Sequence, residues 1–323
     1  MFLHNNMNSN KPPKAYSLIL DLGWRRLALG LHRLVAPFVS KIGLNKIRVG
    51  KRTIGQRINS FFYKVMEFNL PEQIEAHGMI MYQGTSKERG SFGVGYVFDY
   101  ELGTQRVFKR VVKPGMTIVD VGANIGYYTL LGAKMVGEGG RVYAFEPDPL
   151  YFSLLKKNIE ANRLHKIVKP FKTAVGNTEK TAVLSLGNLT GSSLVSLPGI
   201  RTNKTVEVEV VSLDSFFSEK NWPSADLVKI DIEGYERFAL EGMRGLIKRN
   251  RGLNIIIELN PLLLEASGTT AEELLCLLVE LDFKRVYVLW KGVKFRKIPR
   301  DIKYIADYSR NLGCVNLLCQ KDG

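Results

Sequence analysis

The chain has 323 residues, 45% hydrophobic and 24% charged, with a formal net charge of +15. These proportions suit one sizeable α/β domain with an extension and exclude a collagen-like, low-complexity or disulfide-framed chain. Three cysteines, Cys276, Cys314 and Cys319, form no metal-ligand pattern, and an odd count fits reduced thiols.

The N-terminus, Met1 to Asn10, is polar and lacks Lys and Arg, unlike a secretion signal. The apolar stretch from Tyr16 to Val39 is broken by Asp21, Arg25, Arg26, His32 and Arg33, too often for a bilayer span. The expected location is therefore cytoplasmic. Between Leu22 and Met66 lie ten Lys or Arg and no acid, so ten of the fifteen excess charges belong here. Residues 1–43 read as a basic amphipathic arm, with a helix over 15–36 that Pro37 ends. Leu18, Leu22 and Leu29 intrude on its polar side. Such a helix can lie at the inner membrane face, drawn by anionic lipid, or pack on protein; both readings stand.

Residues 44–110 read as a small cap region of short strands punctuated by Gly78, Gly84, Gly90, Gly93 and Gly95, leading into a short helix near Lys109. From residue 111 the pattern alternates. Strands are expected at 117–121, 141–145, 168–174, 227–231, 254–259, 284–290 and 313–319. Helices are expected at 126–136, 149–162, 235–249 and 270–282. That alternation predicts a parallel sheet covered on both faces, forming one domain over 111–323. An insertion at 176–217 holds two alternating segments, Thr181–Leu186 and Thr205–Val211, which predict hairpin or edge strands on either side of a polar loop. Segment 291–312 reads as a basic, irregular connection.

The densest signal is Asp120-Val-Gly-Ala-Asn-Ile-Gly126, between a strand and a helix, with Glu146 at the tip of the next strand. Gly122 and Gly126 allow the turn to pass close to a ligand, and Glu146 can accept hydrogen bonds from vicinal ribose hydroxyls. A dinucleotide turn carries three glycines and faces a pyrophosphate. Here there are two glycines, and the carboxylate of Asp120 would repel a pyrophosphate. The same anion suits the ammonium group of S-adenosylmethionine.

With Phe145-Glu-Pro-Asp148, Val228-Lys-Ile-Asp-Ile-Glu-Gly-Tyr-Glu236 and Ile257-Glu-Leu-Asn-Pro261, this turn resembles the motif series of the FkbM family of methyltransferases. The resemblance covers roughly residues 92–320. It implies a Rossmann-like class I fold, a seven-stranded mostly parallel sheet with an antiparallel last strand. It also implies S-adenosylmethionine as cofactor, held by Glu101, Asp120, Gly122, Ala123, Asn124, Gly126, Glu146, Pro147 and Asp231. Glu101 and Gln105 fall where the cap approaches the ligand. Family members mostly methylate hydroxyls of sugars or of glycosylated and polyketide metabolites, so a small-molecule or glycan hydroxyl, lipid-linked glycans included, is the expected acceptor.

Ligands of open α/β sheets bind beyond the carboxyl ends of the strands, which gathers Asp231, Glu233, Glu258 and Asn260 near the turn. Methyl transfer to an alcohol needs alignment and a base for the hydroxyl proton. Asp231 leads the candidates, followed by Glu233 and Glu258. On a regular strand Asp231 and Glu233 would project to one side and raise one of their pKa values. Either could instead cap the helix expected at 235–249. Asp231, Glu258 and Asn260 could also hold Mg²⁺, although Glu258-Leu-Asn260 departs from the adjacent Asp-Asn pair of catechol-type enzymes. His4, His32, His77 and His165 fall at no strand end and read as surface residues. Two other functions stay in view. The basic charge admits an RNA substrate; the Asp-Ile-Glu-Gly segment, where base methyltransferases commonly carry Asn/Asp-Pro-Pro-aromatic, counts against base methylation and leaves ribose methylation open. A non-catalytic scaffold would require a damaged cofactor site.

Overall fold

The computed structural model describes residues 48–49, 52–53, 72–84, 101–187, 192–195, 204–290 and 292–321. The chain divides into two compact units, Met1–Leu70 and Pro71–Gly323. In the first unit the described residues form a two-stranded antiparallel pair, β1 (Arg48–Val49) and β2 (Arg52–Thr53). The helix expected over 15–36 lies outside the described residues.

The second unit begins with a hairpin, β3 (Gln73–Ala76) and β4 (Met79–Tyr82). Its two turn residues, His77 and Gly78, have φ of 52° and 69°, the left-handed pair that matches strand twist in tight hairpins. Ile74, Met79 and Met81 face inward. Helix α1 (Leu102–Val111) follows, then the alternating core: β5 (Thr117–Val121), α2 (Tyr127–Val136), β6 (Arg141–Phe145), α3 (Pro149–Ala161) and β7 (Val168–Phe171). Asp148 caps α3 through its side chain, with Pro149 in the first turn, where its missing N–H costs nothing. Asn158 and Asn162, one turn apart on α3, bond to the backbone of Tyr82 and Ile80. They hold the hairpin edge much as another strand would.

The expected third strand divides. β7 ends at Phe171, and β8 (Ala174–Gly176) joins a separate three-stranded sheet with β9 (Lys180–Ser185) and β10 (Thr205–Ser212). β9 and β10 are the strands predicted from their alternation, paired antiparallel as a hairpin. After α4 (Leu213–Ser218) comes β11 (Leu227–Ile230). The helix expected over 235–249 is two helices, α5 (Glu236–Glu241) and α6 (Arg244–Arg249). The break falls at Gly242, where an added Cβ would sit 2.0 Å from the Gly176 carbonyl oxygen, so close backbone contact interrupts the helical run.

β12 (Asn254–Leu259), α7 (Pro261–Ala266), α8 (Ala271–Glu280) and β13 (Phe283–Leu289) follow. Thr270 and Glu273 form a reciprocal capping box at the start of α8. Segment 291–312 is more regular than expected. It contains β14 (Val293–Lys297) and α9 (Ile302–Leu312). Its basic residues conceal a helical spacing, with Ile305, Ala306 and Ser309 buried. β15 (Val315–Lys321) completes the fold.

The main sheet has the order β14-β13-β15-β12-β11-β5-β6-β7. β15 runs antiparallel to both neighbours, β12 and β13, while β12, β11, β5, β6 and β7 pair with one another in parallel. The seven expected strands and their antiparallel last member are thus present, with β14 added at one edge. Both faces are covered. Val119, Val121, Ile230, Ile255 and Ile257 pack on one side; Ile118, Val142, Leu227 and Ile256 pack on the other. Burial on both faces explains why these strands read as apolar runs. Among the described residues no helix is long and apolar enough to cross a membrane.

Candidate active site

The turn between β5 and α2 is fixed by backbone geometry. Gly122 has φ +80°, and a Cβ there would lie 1.9 Å from the Asp231 carbonyl oxygen. Only glycine combines that conformation with that approach. The Gly122 and Ala123 N–H groups both donate to the Phe145 carbonyl at 3.0 and 2.9 Å, locking the turn to the end of β6. Asn124 is also left-handed, with φ 52°, and its amide oxygen accepts from the Ile125 N–H. Gly126 serves packing instead: its missing Cβ would strike Leu155 of α3 at 2.6 Å.

Glu146 accepts the Asn124 N–H at 2.7 Å with one oxygen and the Asp148 N–H at 2.8 Å with the other. The carboxyl group is thereby oriented before any ligand arrives. Burial pushes its pKa up to about 8, and the two N–H bonds oppose the rise. Asp120 accepts the Thr129 hydroxyl at 2.6 Å through one oxygen. Its other oxygen is buried and has no hydrogen-bond partner among the described residues. Burial raises the Asp120 pKa, against the pull of nearby Lys229.

Lys229 is the residue that sequence reasoning missed. It sits mid-sheet on β11, 2% exposed, and ion-pairs with Asp231 at 2.8 Å. Its ammonium also lies 4.8 Å from the centre of the Tyr128 ring. Burial alone would lower its pKa, but Asp231, Asp120 and Glu101 outweigh that effect and raise it. The lysine therefore stays charged among three carboxyl groups. A polar residue inside an otherwise apolar strand, Leu-Val-Lys-Ile, was the available signal.

Glu101 precedes α1 with a left-handed backbone, φ 45°, and accepts the Tyr128 hydroxyl at 2.9 Å. Burial, then the charge of Asp231, raises its pKa. Gln105 lies one turn further, buried beside His77 at 3.1 Å and away from the cavity lining. His77 and His165 are exposed, while His4 and His32 lie outside the described residues.

The expectation for Asp231 and Glu233 needs correction. β11 ends at Ile230, and Glu233 has φ 56°, followed by Gly234 at 99°. The two carboxylates thus belong to a turn, not to one face of a strand. The helix-entry role falls to Glu236, which accepts the Ile232 and Gly234 N–H groups at 3.1 Å each. Burial lifts its pKa to about 7. Glu258 is buried beneath the site, outside the cavity lining, and accepts from the Cys314 thiol at 2.9 Å. Burial, then Asp231 and Glu233, holds its pKa well above the usual carboxylate range. The Asn260 amide oxygen caps α7 at the Leu263 N–H. Among the described residues no cluster of three or more His, Cys, Asp or Glu is arranged to hold a metal ion.

One cavity of about 870 Å³ joins these parts. Asp120, Gly122, Ala123, Asn124, Glu146, Pro147, Asp231 and Glu233 all line it, with Lys229, Tyr127, Tyr128 and Tyr151. The insertion contributes Ser192 and Leu194. Ser192 donates to Asp148, and Ser193 donates to the Glu233 carbonyl at 2.8 Å. This segment therefore straps the end of β6 to the end of β11. Thr173 adds a buried hydroxyl without a partner among the described residues.

Residues 120–285 match the Methyltransferase FkbM domain. The 31-O-demethyl-FK506 methyltransferase FkbM of Streptomyces tacrolimicus is 30% identical over 175 residues, 44% of this chain and 66% of that protein. The hexuronic acid methyltransferase AglP of Haloferax volcanii is 29% identical over 140 residues, 43% of this chain and 53% of that protein. The chain thus spans about half to two thirds of the length of these relatives. Among solved structures, a putative rRNA-methylase from Clostridium thermocellum aligns over 69% of this chain and 96% of its own, with 15% identity and a TM-score of 0.42. With the family model spanning just over half of its length, the chain belongs to the FkbM methyltransferase family.

Proposed function

We propose that this chain is an S-adenosylmethionine-dependent O-methyltransferase acting on a hydroxyl of a sugar, glycan or glycosylated metabolite. The observation that carries the reading is that the glycine turn, Glu146 and Asp231 line the same cavity.

The residues present fit the donor. Asp120 offers a buried carboxyl oxygen, without a partner among the described residues, suited to the ammonium end. Gly122 leaves room beside the Asp231 carbonyl. Glu146, already oriented by two N–H groups, would accept the ribose hydroxyls, and those bonds would favour its ionised form. When bound, S-adenosylmethionine supplies a methyl group made electrophilic by its sulfonium.

Asp231 is placed to take the acceptor's hydroxyl proton as its oxygen becomes nucleophilic. The ion pair with Lys229 fixes the position of Asp231. Glu233 stands second, on the same turn and lining the same cavity. Glu258 fits a supporting role beneath them. The carboxylates at this rim disfavour an acceptor flanked by phosphates, which weighs against the RNA reading. The names of the two relatives, one a hexuronic acid methyltransferase, lend support to a sugar hydroxyl.

Incubation with radiolabelled donor and a panel of sugars and glycosides tests this. The expected outcome is label in a base-stable ether on at least one sugar. Label on RNA alone, or on no acceptor despite donor binding, would contradict it.

A further inference from the structure

Beyond the active site, the β13–β14 edge of the sheet has an unusual surface. Between Phe283 and Tyr304 the sequence holds eight Lys or Arg against one acid, Asp301. Among the described residues β14 pairs only with β13, so its outer side is the margin of the described sheet. On one face Val293 and Phe295 are 50% and 43% exposed. Beside them stand Trp290 at 41% and Leu102 at 43%, brought close because Gly103 of α1 packs against the Trp290 backbone. Exposed Arg106 on α1 and Lys297 on β14 flank this apolar strip.

We infer that this edge is a docking surface for an anionic lipid bilayer. Large apolar side chains ringed by Lys and Arg match the two zones of a membrane interface, with acyl boundary below and charged headgroups above. Lysines on an edge strand also discourage strand pairing between molecules, but that role does not call for exposed Val293 and Phe295 between them. Nucleic acid is the weaker match. Of the rings along this edge, Tyr304 and Tyr308 are already covered by Arg296 and Lys294 at 4.3 and 4.4 Å, which leaves Trp290 and Phe295 to stack on bases. Aliphatic Leu102 and Val293 offer a phosphate backbone nothing. Position adds meaning. Trp290 follows the carboxyl end of β13, which runs parallel to β12, so the strip lies at the same end of the sheet as Asp231. A bilayer docked there would present headgroup-level hydroxyls to the rim that carries the cavity.

Sedimentation of the full chain with phosphatidylcholine vesicles, with and without phosphatidylglycerol, tests the inference. Binding is expected only with phosphatidylglycerol and should weaken with salt. V293D/F295D should lower the bound fraction by roughly fivefold or more, and R106E/K297E should do likewise through charge. Circular dichroism identifies a variant that fails to fold, and the other then decides. Unchanged vesicle binding in a folded double variant overturns the inference. So does absence of vesicle binding, including the case where a short RNA binds the wild type and not R106E/K297E.

Discussion

The two halves of the cavity are built in different ways. The donor half is one strand–turn–helix–strand unit, in which Gly122, Ala123 and Glu146 are tied by backbone hydrogen bonds to neighbours in the same unit. The acceptor half draws on three separated segments: Glu101, which holds the Tyr128 hydroxyl of the cavity wall, Ser192, and the stretch 229–233 with Lys229, Asp231 and Glu233. Its geometry rests on side-chain contacts between remote positions. The first half is stiff and generic, and the second is adjustable. One fold can therefore keep its donor while its acceptor changes.

Substitutions should separate the halves. The largest effect is expected for Asp231→Asn, which should lower kcat by about 10²- to 10⁴-fold, the span of lost general-base catalysis, with donor affinity changed little. Equal kcat in the variant would move the role to Glu233. Lys229→Met should destabilise the fold by about 3–5 kcal/mol, because it leaves buried carboxylates without their cation. Chemical denaturation measures this, and a loss below about 1 kcal/mol would show that the pair is dispensable.

Gly122→Ala should cost about 1–3 kcal/mol in backbone strain alone, and the contact with the Asp231 carbonyl adds to it. Calorimetry should find donor binding abolished, whereas a folded variant that still binds would contradict the turn's role. Glu146→Gln should weaken donor binding roughly tenfold, the scale of a charged hydrogen bond. The smallest effect belongs far from the cavity. Thr270→Ala removes the α8 cap, should cost about 1 kcal/mol, and should leave donor affinity unchanged.

The pH response follows from the direction of the shifts. Glu146 and Glu236 have folded-state pKa values raised to about 8 and about 7 from 4.5, and those of Asp120, Glu101 and Glu258 are raised as well. A group with a raised folded pKa stabilises fully below its unfolded value and loses that contribution as pH rises through the folded one. The ligand-free chain should therefore lose stability between about pH 5 and pH 8, and Glu146→Gln should shrink the loss. A melting temperature that rises over that window would contradict the burial of these groups.

How far the sequence could be read follows the same division. The glycine turn and the Glu146 tip were legible because conformation and spacing are local. The core strands were legible because burial on both faces leaves apolar runs. Lys229 was passed over because two of the three carboxyl groups around it, Asp120 and Glu101, are remote in sequence. Asp231 and Glu233 were placed on one strand face because nothing local announces the left-handed turn at Glu233. The break at Gly242 depends on Gly176, and the β14–α9 segment was masked by its own basic side chains.

The most direct measurement is isothermal titration of the chain with S-adenosylmethionine, using NAD as the control ligand. Micromolar binding of S-adenosylmethionine, with none of NAD, is the expected result. Binding of NAD in its place, or of neither ligand, would contradict the assignment of this cavity to a methyl donor.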